Sequence, residues 1–329
     1  MAHQQNPADV IEPEADDHIE DSGIDSDSES MTESTTSITS SIMKYRQENG
    51  RTYHAYKEGK YLFPNDEEES DRLDLQHHVY LLTFDHKLVM CPLPKKLDRV
   101  LDIGTGTGIW AIDFADEHPE SMVLGIDLSP IQPPLSVPPN LSFEIDDIEE
   151  TWTYSYKFDF IHSRMMVGSI GNWPKLFERA FENLNPGGRI QLSDAILPTQ
   201  SDDGTLGPAT AKWGQLMVEG VEKIGRSMQS AKLYKEQLIA AGFEDVEEII
   251  FKWPVNKWPK DPKLKEIGMW TLEHSASAIP TLSLAVFTRV LGWTLEELNI
   301  FLIDVMKETK NTSHHTYWAI YVVHGKKPE

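Results

Sequence analysis

The chain has 329 residues, 40% of them apolar, and a formal net charge of -23; that length and composition suffice for one large or two small cores. No stretch reaches the roughly 20 uninterrupted apolar residues of a bilayer span, and no basic-then-apolar leader opens the chain, so it is expected to be neither membrane-inserted nor exported. Acidity of this strength with no local basic patch opposes direct binding to nucleic-acid phosphates. The single cysteine, Cys91, excludes an internal disulfide and a cysteine-rich zinc site, which suits a reducing compartment.

Residues 1–43 read as a disordered acidic tail. Eleven acids and no Lys or Arg fall within the first 40 positions, leaving -12 for the rest, and twelve of the twenty residues from Ser22 to Ser41 are Ser or Thr. Such a segment has too little apolar surface to offset its ordering entropy; it reads as a solubilising arm or a phosphorylated regulatory one. Residues 44–98 form a second segment, aromatic at first, then acidic, then apolar at helical spacing through Leu73, Leu75, Val79 and Leu82, which predicts a helix over Glu67–Phe84. Standing before the first strand, it is either a lid over a site or a helix on the domain flank.

Residues 99–329 carry the main domain. Five short apolar strands are expected at "RVLDI", "MVLGI", "LSFEI", "FDFIHS" and "RIQLSD", separated by turns or helices in the alternation that builds a parallel sheet. Asn185-Pro186-Gly187-Gly188 is expected to end the helix Trp173–Leu184 and turn the chain into the fifth strand. Beyond it the pattern predicts helices over Ala209–Ile224 and Lys232–Ala241, with Gly242 as a stop, and then a strand over Val246–Trp253. Helices over Pro262–Ser275 and Thr294–Lys307 follow, the latter opened by a Thr294/Glu297 capping box, and the chain closes on the strand "TYWAIYVVHG".

The stretch "VLDIGTGTGIW" places a strand, a glycine turn and a helix start in sequence, the arrangement that lets backbone amides approach a nucleotide. After Gly104 and Gly106 the third glycine is Gly108, and Ile109 fills the place a dinucleotide fingerprint reserves for glycine. Asp102 at the strand end would repel a pyrophosphate but suits a ligand with an ammonium group. These departures favour S-adenosylmethionine. Asp127, nineteen residues beyond Gly108, ends the second strand where a carboxylate can accept both ribose hydroxyls. After the third strand, Asp146 and Asp147 are placed to accept from an adenine amino group while Ile148 packs on the ring.

The set "VLDIGTGTG", "GIDLSPIQPP" and "DDIEETW", with "ENGRTYHAYKEGKYLFPNDEEESDRLDL" upstream, resembles the fungal LaeA-like family of class I S-adenosylmethionine-dependent methyltransferases, from about Glu48 to the C-terminus. The resemblance implies an α/β fold: a seven-stranded Rossmann-like sheet with helices on both faces, six parallel strands and an antiparallel last one. It also implies two kinds of function. Tailoring enzymes of fungal secondary metabolism methylate a small-molecule acceptor in the cytoplasm; regulators of metabolite gene expression act in nuclear complexes with velvet-type proteins. The short acidic arm here lacks a basic nuclear-import cluster, so the tailoring reading is favoured, with an oxygen or nitrogen as acceptor atom.

Methyl transfer needs alignment and exclusion of water rather than a metal, and the adjacent pairs His77-His78 and His314-His315 diverge too much to share one. His162, at the tip of the fourth strand, is the candidate catalytic base, the alternative being a structural or orienting role. Tyr53, Tyr56 and Tyr61 are either site walls or plain packing. Trp213, Trp253, Trp258 and Trp270 hint at a planar or apolar acceptor.

Overall fold

The computed structural model describes residues 11–12, 45–54, 56–57, 60, 62–133 and 137–329. Most of the tail, together with Tyr61, therefore lies outside the described residues. Of the tail, Ile11 packs half-buried against the main apolar core and the Glu12 carbonyl accepts from the Lys260 N–H at 2.8 Å. These two residues depart from the expectation that the tail has nothing to bury.

A hairpin of β1 (Arg46–Glu48) and β2 (Arg51–Tyr53) opens the ordered chain. It was not foreseen, although Asn49-Gly50, both at positive φ, is the dipeptide that tight hairpins prefer. Helix α1 (Glu67–Thr83) begins where Asp66 accepts from the Glu69 N–H, so its acidic first turn meets the positive end of the helix. Then come β3 (Arg99–Ile103), α2 (Ile109–Glu117), β4 (Met122–Asp127), β5 (Leu141–Ile145), β6 (Phe158–Arg164), α3 (Trp173–Asn183) and β7 (Leu184–Gln200). The second half supplies α4 (Pro208–Lys223), α5 (Tyr234–Ala240), β8 (Glu244–Pro254), α6 (Pro262–Ala285), α7 (Leu295–Lys310) and β9 (Tyr317–Lys326).

Seven strands form one sheet in the order β5-β4-β3-β6-β7-β9-β8. The pairs β5/β4, β4/β3, β3/β6 and β6/β7 are parallel, whereas β9 runs antiparallel to both β7 and β8. Six strands thus share one direction and the last opposes them, as expected. The chain winds outward from β3 to β5, then crosses back to β6 beside β3, and that reversal opens a crevice at the carboxyl ends of β3 and β6. Both faces of the sheet are covered by helices over apolar clusters, the largest centred on Trp213, Trp253 and Phe287.

Three boundaries differ from the local pattern. Residues Asn185–Gly188 do not form a free turn but belong to β7, where the register skips from the Phe158/Leu184 pair to Phe160/Arg189, a bulge. Helix α6 continues past Ser275 through Pro280 to Ala285 and then a π-helical turn over Val286–Val290. Burial of Ala278, Ile279, Leu284 and Ala285 outweighs the hydrogen bond that proline removes. The predicted Lys232–Ala241 helix divides into a 3-10 turn, Ser230–Leu233, and α5. The capping box forms as expected, with Thr294 accepting from the Glu297 N–H and the Glu297 carboxylate accepting from the Thr294 N–H.

Candidate active site

The crevice holds a cavity of about 960 Å³ including its open mouth, lined by the ends of β3, β4 and β6, the loop after β5, and α1. Asp102, Gly104, Gly106, Asp127, Asp146, Asp147, Ile148 and His162 all face it. Gly108 does not. It caps α2 in the left-handed region (φ 84°), and a Cβ there would lie 2.4 Å from Phe143 Cζ; its role is to let that ring lie against the turn. Gly104, also at positive φ (69°), leaves the gap beside its backbone into which Met166 fits.

The strand-end acids are each held differently. Asp102 is buried and accepts from His162 Nδ1 at 2.7 Å, while the His162 ring stacks on Trp110 with centroids 3.6 Å apart. Burial lowers the His162 pKa against the opposing pull of Asp102, so the imidazole is neutral with its proton on Nδ1. Asp127 accepts from the Gly106 N–H through Oδ2 and the Ser129 N–H through Oδ1, both at 2.9 Å. Burial raises its pKa despite those bonds. Asp147 is buried and ion-paired with Lys60 and accepts from the Glu149 N–H at 3.0 Å.

Several cavity residues escaped the sequence reading. Arg164, at the tip of β6, lies over the Tyr80 ring (4.7 Å) and donates to His77 Nδ1 at 3.1 Å; it brings a cation into the cavity that Asp102 also lines. Leu73 and Gln76 come from α1, and Lys60 from the segment before it. Gln132 does have a sequence signal, the "DLSPIQPP" run: its Nε2 donates to the Gly106 carbonyl at 2.6 Å and the Ser129 carbonyl at 3.0 Å, tying the two ligand-facing loops together. Of the tyrosines, Tyr53 is buried under Arg289, 4.3 Å from the ring, and is packing. Among the described residues no group of three or more His, Cys, Asp or Glu is arranged to hold a metal ion, and no helix is long and apolar enough to cross a membrane.

A second, apolar cavity of about 710 Å³ including its open mouth adjoins the first, sharing Leu73, Gln76 and Met165 with it. Of the four tryptophans singled out, only Trp253 lines it; Trp213 and Trp258 are buried elsewhere and Trp270 packs edge-on to His78. Trp318, on β9, is the second tryptophan of the wall.

The turn joining the two cavities is anchored by buried Asp194 of β7, which accepts from the Val167 N–H at 3.0 Å and the Tyr234 hydroxyl at 2.7 Å. Burial pushes its carboxyl up to about 6 from an ordinary 3.8, outweighing those bonds. The folded chain therefore keeps this proton to a higher pH than the unfolded one. Its contribution to stability is full below the unfolded value and is lost as pH rises through about 6, roughly 3 kcal/mol in all. In Asp194→Asn that dependence is absent, so the stability of wild type relative to the variant should fall by about that amount between pH 4 and pH 7. Urea unfolding across this range checks it; a constant difference would refute it.

A glycine turn on the first strand of a sheet in this order, with acids at three successive strand tips, defines a class I S-adenosylmethionine-dependent methyltransferase. A family model described as a methyltransferase domain matches residues 75–248. The chain is 40% identical over 291 residues to "Methyltransferase pytC" of Aspergillus terreus, covering 88% of this chain and 90% of that one. It is 36% identical to "Probable methyltransferase tdiE" of Emericella nidulans, over 88% and 90% of the two chains. To "Secondary metabolism regulator laeA" of Aspergillus fumigatus it is 37% identical, over 86% of this chain and 76% of that one. The chain belongs to the fungal LaeA-like family of methyltransferases.

Proposed function

We propose that this methyltransferase tailors a small-molecule intermediate of fungal secondary metabolism, in the cytoplasm, on an oxygen or nitrogen. The observation that supports this reading is the second cavity: an apolar chamber that shares Leu73, Gln76 and Met165 with the cofactor cleft is what a small acceptor requires. The residues of the cleft fit S-adenosylmethionine. Asp102 and Arg164 offer opposite charges to the ammonium and carboxylate of its amino-acid end. Asp127 offers carboxylate oxygens to the ribose hydroxyls, and Asp147 and Ile148 an acceptor and an apolar face to the adenine, with Gly104 and Gly106 giving the backbone its close approach.

The cofactor supplies an activated sulfonium methyl group; the chain's contribution is alignment and exclusion of water. His162 lines the cofactor cleft and not the apolar chamber, and its Nδ1 proton is engaged by Asp102. The Asp102 bond leaves Nε2 as the ring's acceptor, so it is the ring's place outside the chamber that favours an orienting role over that of a base drawing a proton from the acceptor. Deleting the gene and profiling metabolites tests the proposal. Loss of one methylated product with accumulation of a precursor lighter by a single CH2 is expected. Silencing of several unrelated metabolites with no such precursor would replace it with the regulator reading, in which a velvet-type protein is the partner.

A further inference from the structure

Helix α7 turns one face inward and leaves the other bare. Leu298, Leu302 and Val305 are buried in the main apolar core, whereas Ile300 and Ile303 are 62% and 66% exposed, the two highest values among the large apolar side chains of the described residues. A single exposed apolar residue is ordinary; here two stand together within a regular pattern. Glu296, Ile300, Ile303 and Lys307 follow one another at spacings of four, three and four, the repeat that lays one seam along a helix and that paired helices interleave. All four are exposed. The outer face is thus an acid, two isoleucines and a base, in that order, over about 17 Å of helix axis.

This order of charge is complementary to itself in one orientation. With two copies antiparallel about a two-fold axis between residues 301 and 302, Ile300 of each meets Ile303 of the other, and Glu296 of each meets Lys307 of the other. The flanking polar side chains match by the same rule, since Asn299 falls beside Asp304, an amide donor beside a carboxylate. A parallel pair would instead stack Glu296 on Glu296 and Lys307 on Lys307. Among the described residues neither Glu296 nor Lys307 has an ion-pair partner inside the chain. The chain's own acidic tail is a poorer occupant, for its eleven acids would be brought against Glu296 and Asp304, and its described Glu12 is held at Lys260 instead. No residue of the seam lines either cavity.

We propose that the outer face of α7 pairs two copies of this chain, antiparallel and in this register, into a dimer. Burial of two isoleucines from each copy supplies the apolar contribution, and the Glu296–Lys307 pairs at both ends fix the orientation. One helix face from each copy makes a small interface, and small interfaces are weak and reversible, so a dissociation constant on the order of 10–100 µM is expected. The inference is independent of the tailoring reading and holds equally for an enzyme and for a regulator.

Sedimentation equilibrium of the full chain tests it. Expected is a reversible change from the 37.4 kDa monomer toward twice that mass as the concentration rises to about 0.5 mM. Ile303→Ser should weaken association at least about tenfold, since each dimer loses two buried side chains. Glu296→Lys or Lys307→Glu alone sets like charges together at both ends and should weaken it by about tenfold. Mixed in equal amounts, these two charge variants should associate with each other about as tightly as wild type, because each then meets its opposite. The proposal is overturned if the wild-type chain stays monomeric throughout, or if Ile303→Ser or either charge variant alone dimerises as well as wild type. It is also overturned if the mixture does no better than its components. A parallel pair is recognised by single charge variants no weaker than wild type and a mixture that is tighter, and that result too overturns the proposal. All the substituted side chains are exposed, so the urea midpoint of each variant should stay close to that of wild type; if Ile303→Ser fails this check, Ile300→Ser replaces it with the same expected loss.

Discussion

Asp127→Ala is expected to weaken S-adenosylmethionine binding by about 100-fold. A carboxylate at the tip of β4 is placed to accept from two ribose hydroxyls, and bonds to a charged acceptor are each worth about 1.5–3 kcal/mol, so losing the pair costs about 3 kcal/mol, two powers of ten in affinity. The same side chain also holds the Gly106 and Ser129 N–H groups, each at 2.9 Å, so alanine loosens the glycine loop as well. Asp127→Asn retains one carbonyl acceptor and should fall between the two. Calorimetry with the cofactor decides the matter; an alanine variant binding as tightly as wild type would remove Asp127 from the site.

The second large effect is on stability. Gly108→Ala should destabilise the fold by about 3 kcal/mol, combining roughly 1–2 kcal/mol for a side chain at positive φ with about 1–3 for overpacking. The steric part falls on the half-buried Phe143 ring, whose Cζ would lie 2.4 Å from the new Cβ. Its ring is wedged between two glycine backbones, and a Cβ on Gly125 would also lie 2.7 Å from it. Gly204 is the control, since its φ is 78° and nothing lies within 4 Å of a Cβ built there. Gly204→Ala should therefore show only the backbone part. Equal losses in thermal or urea unfolding for the two variants would refute the packing argument, and because Gly108 does not line the cleft, cofactor affinity of folded Gly108→Ala should change far less than that of Asp127→Ala.

By itself the sequence determined much of what depends on neighbours along the chain. Near-continuous apolar runs such as "RVLDI" and "MVLGI" read as strands because a strand buried on both faces has no polar side to display. The acids just beyond those runs had to emerge at one edge of a parallel sheet, so Asp102, Asp127 and Asp147 could be assigned to a single cleft before any contact was known. Thr294 and Glu297 likewise announce their helix start through a bond that spans three residues. The tertiary structure decided what depends on distant segments meeting. Gly108 looked like a third ligand-facing glycine because its own sequence cannot report that Phe143 comes to lie over it. Arg72 and His274 stand 202 positions apart, and Arg72 Nη1 donates to His274 Nε2 at 2.7 Å only because α1 packs on α6. The continuation of α6 past Ser275 and through Pro280 was decided in the same way, by burial against neighbouring helices that a local propensity does not contain. Trp318 was one aromatic residue in a terminal strand until folding set it opposite Trp253 in the wall of the chamber. Strand and helix choice is governed by short-range periodicity and capping, whereas the shape and charge of a cavity are properties of surfaces that no single segment owns.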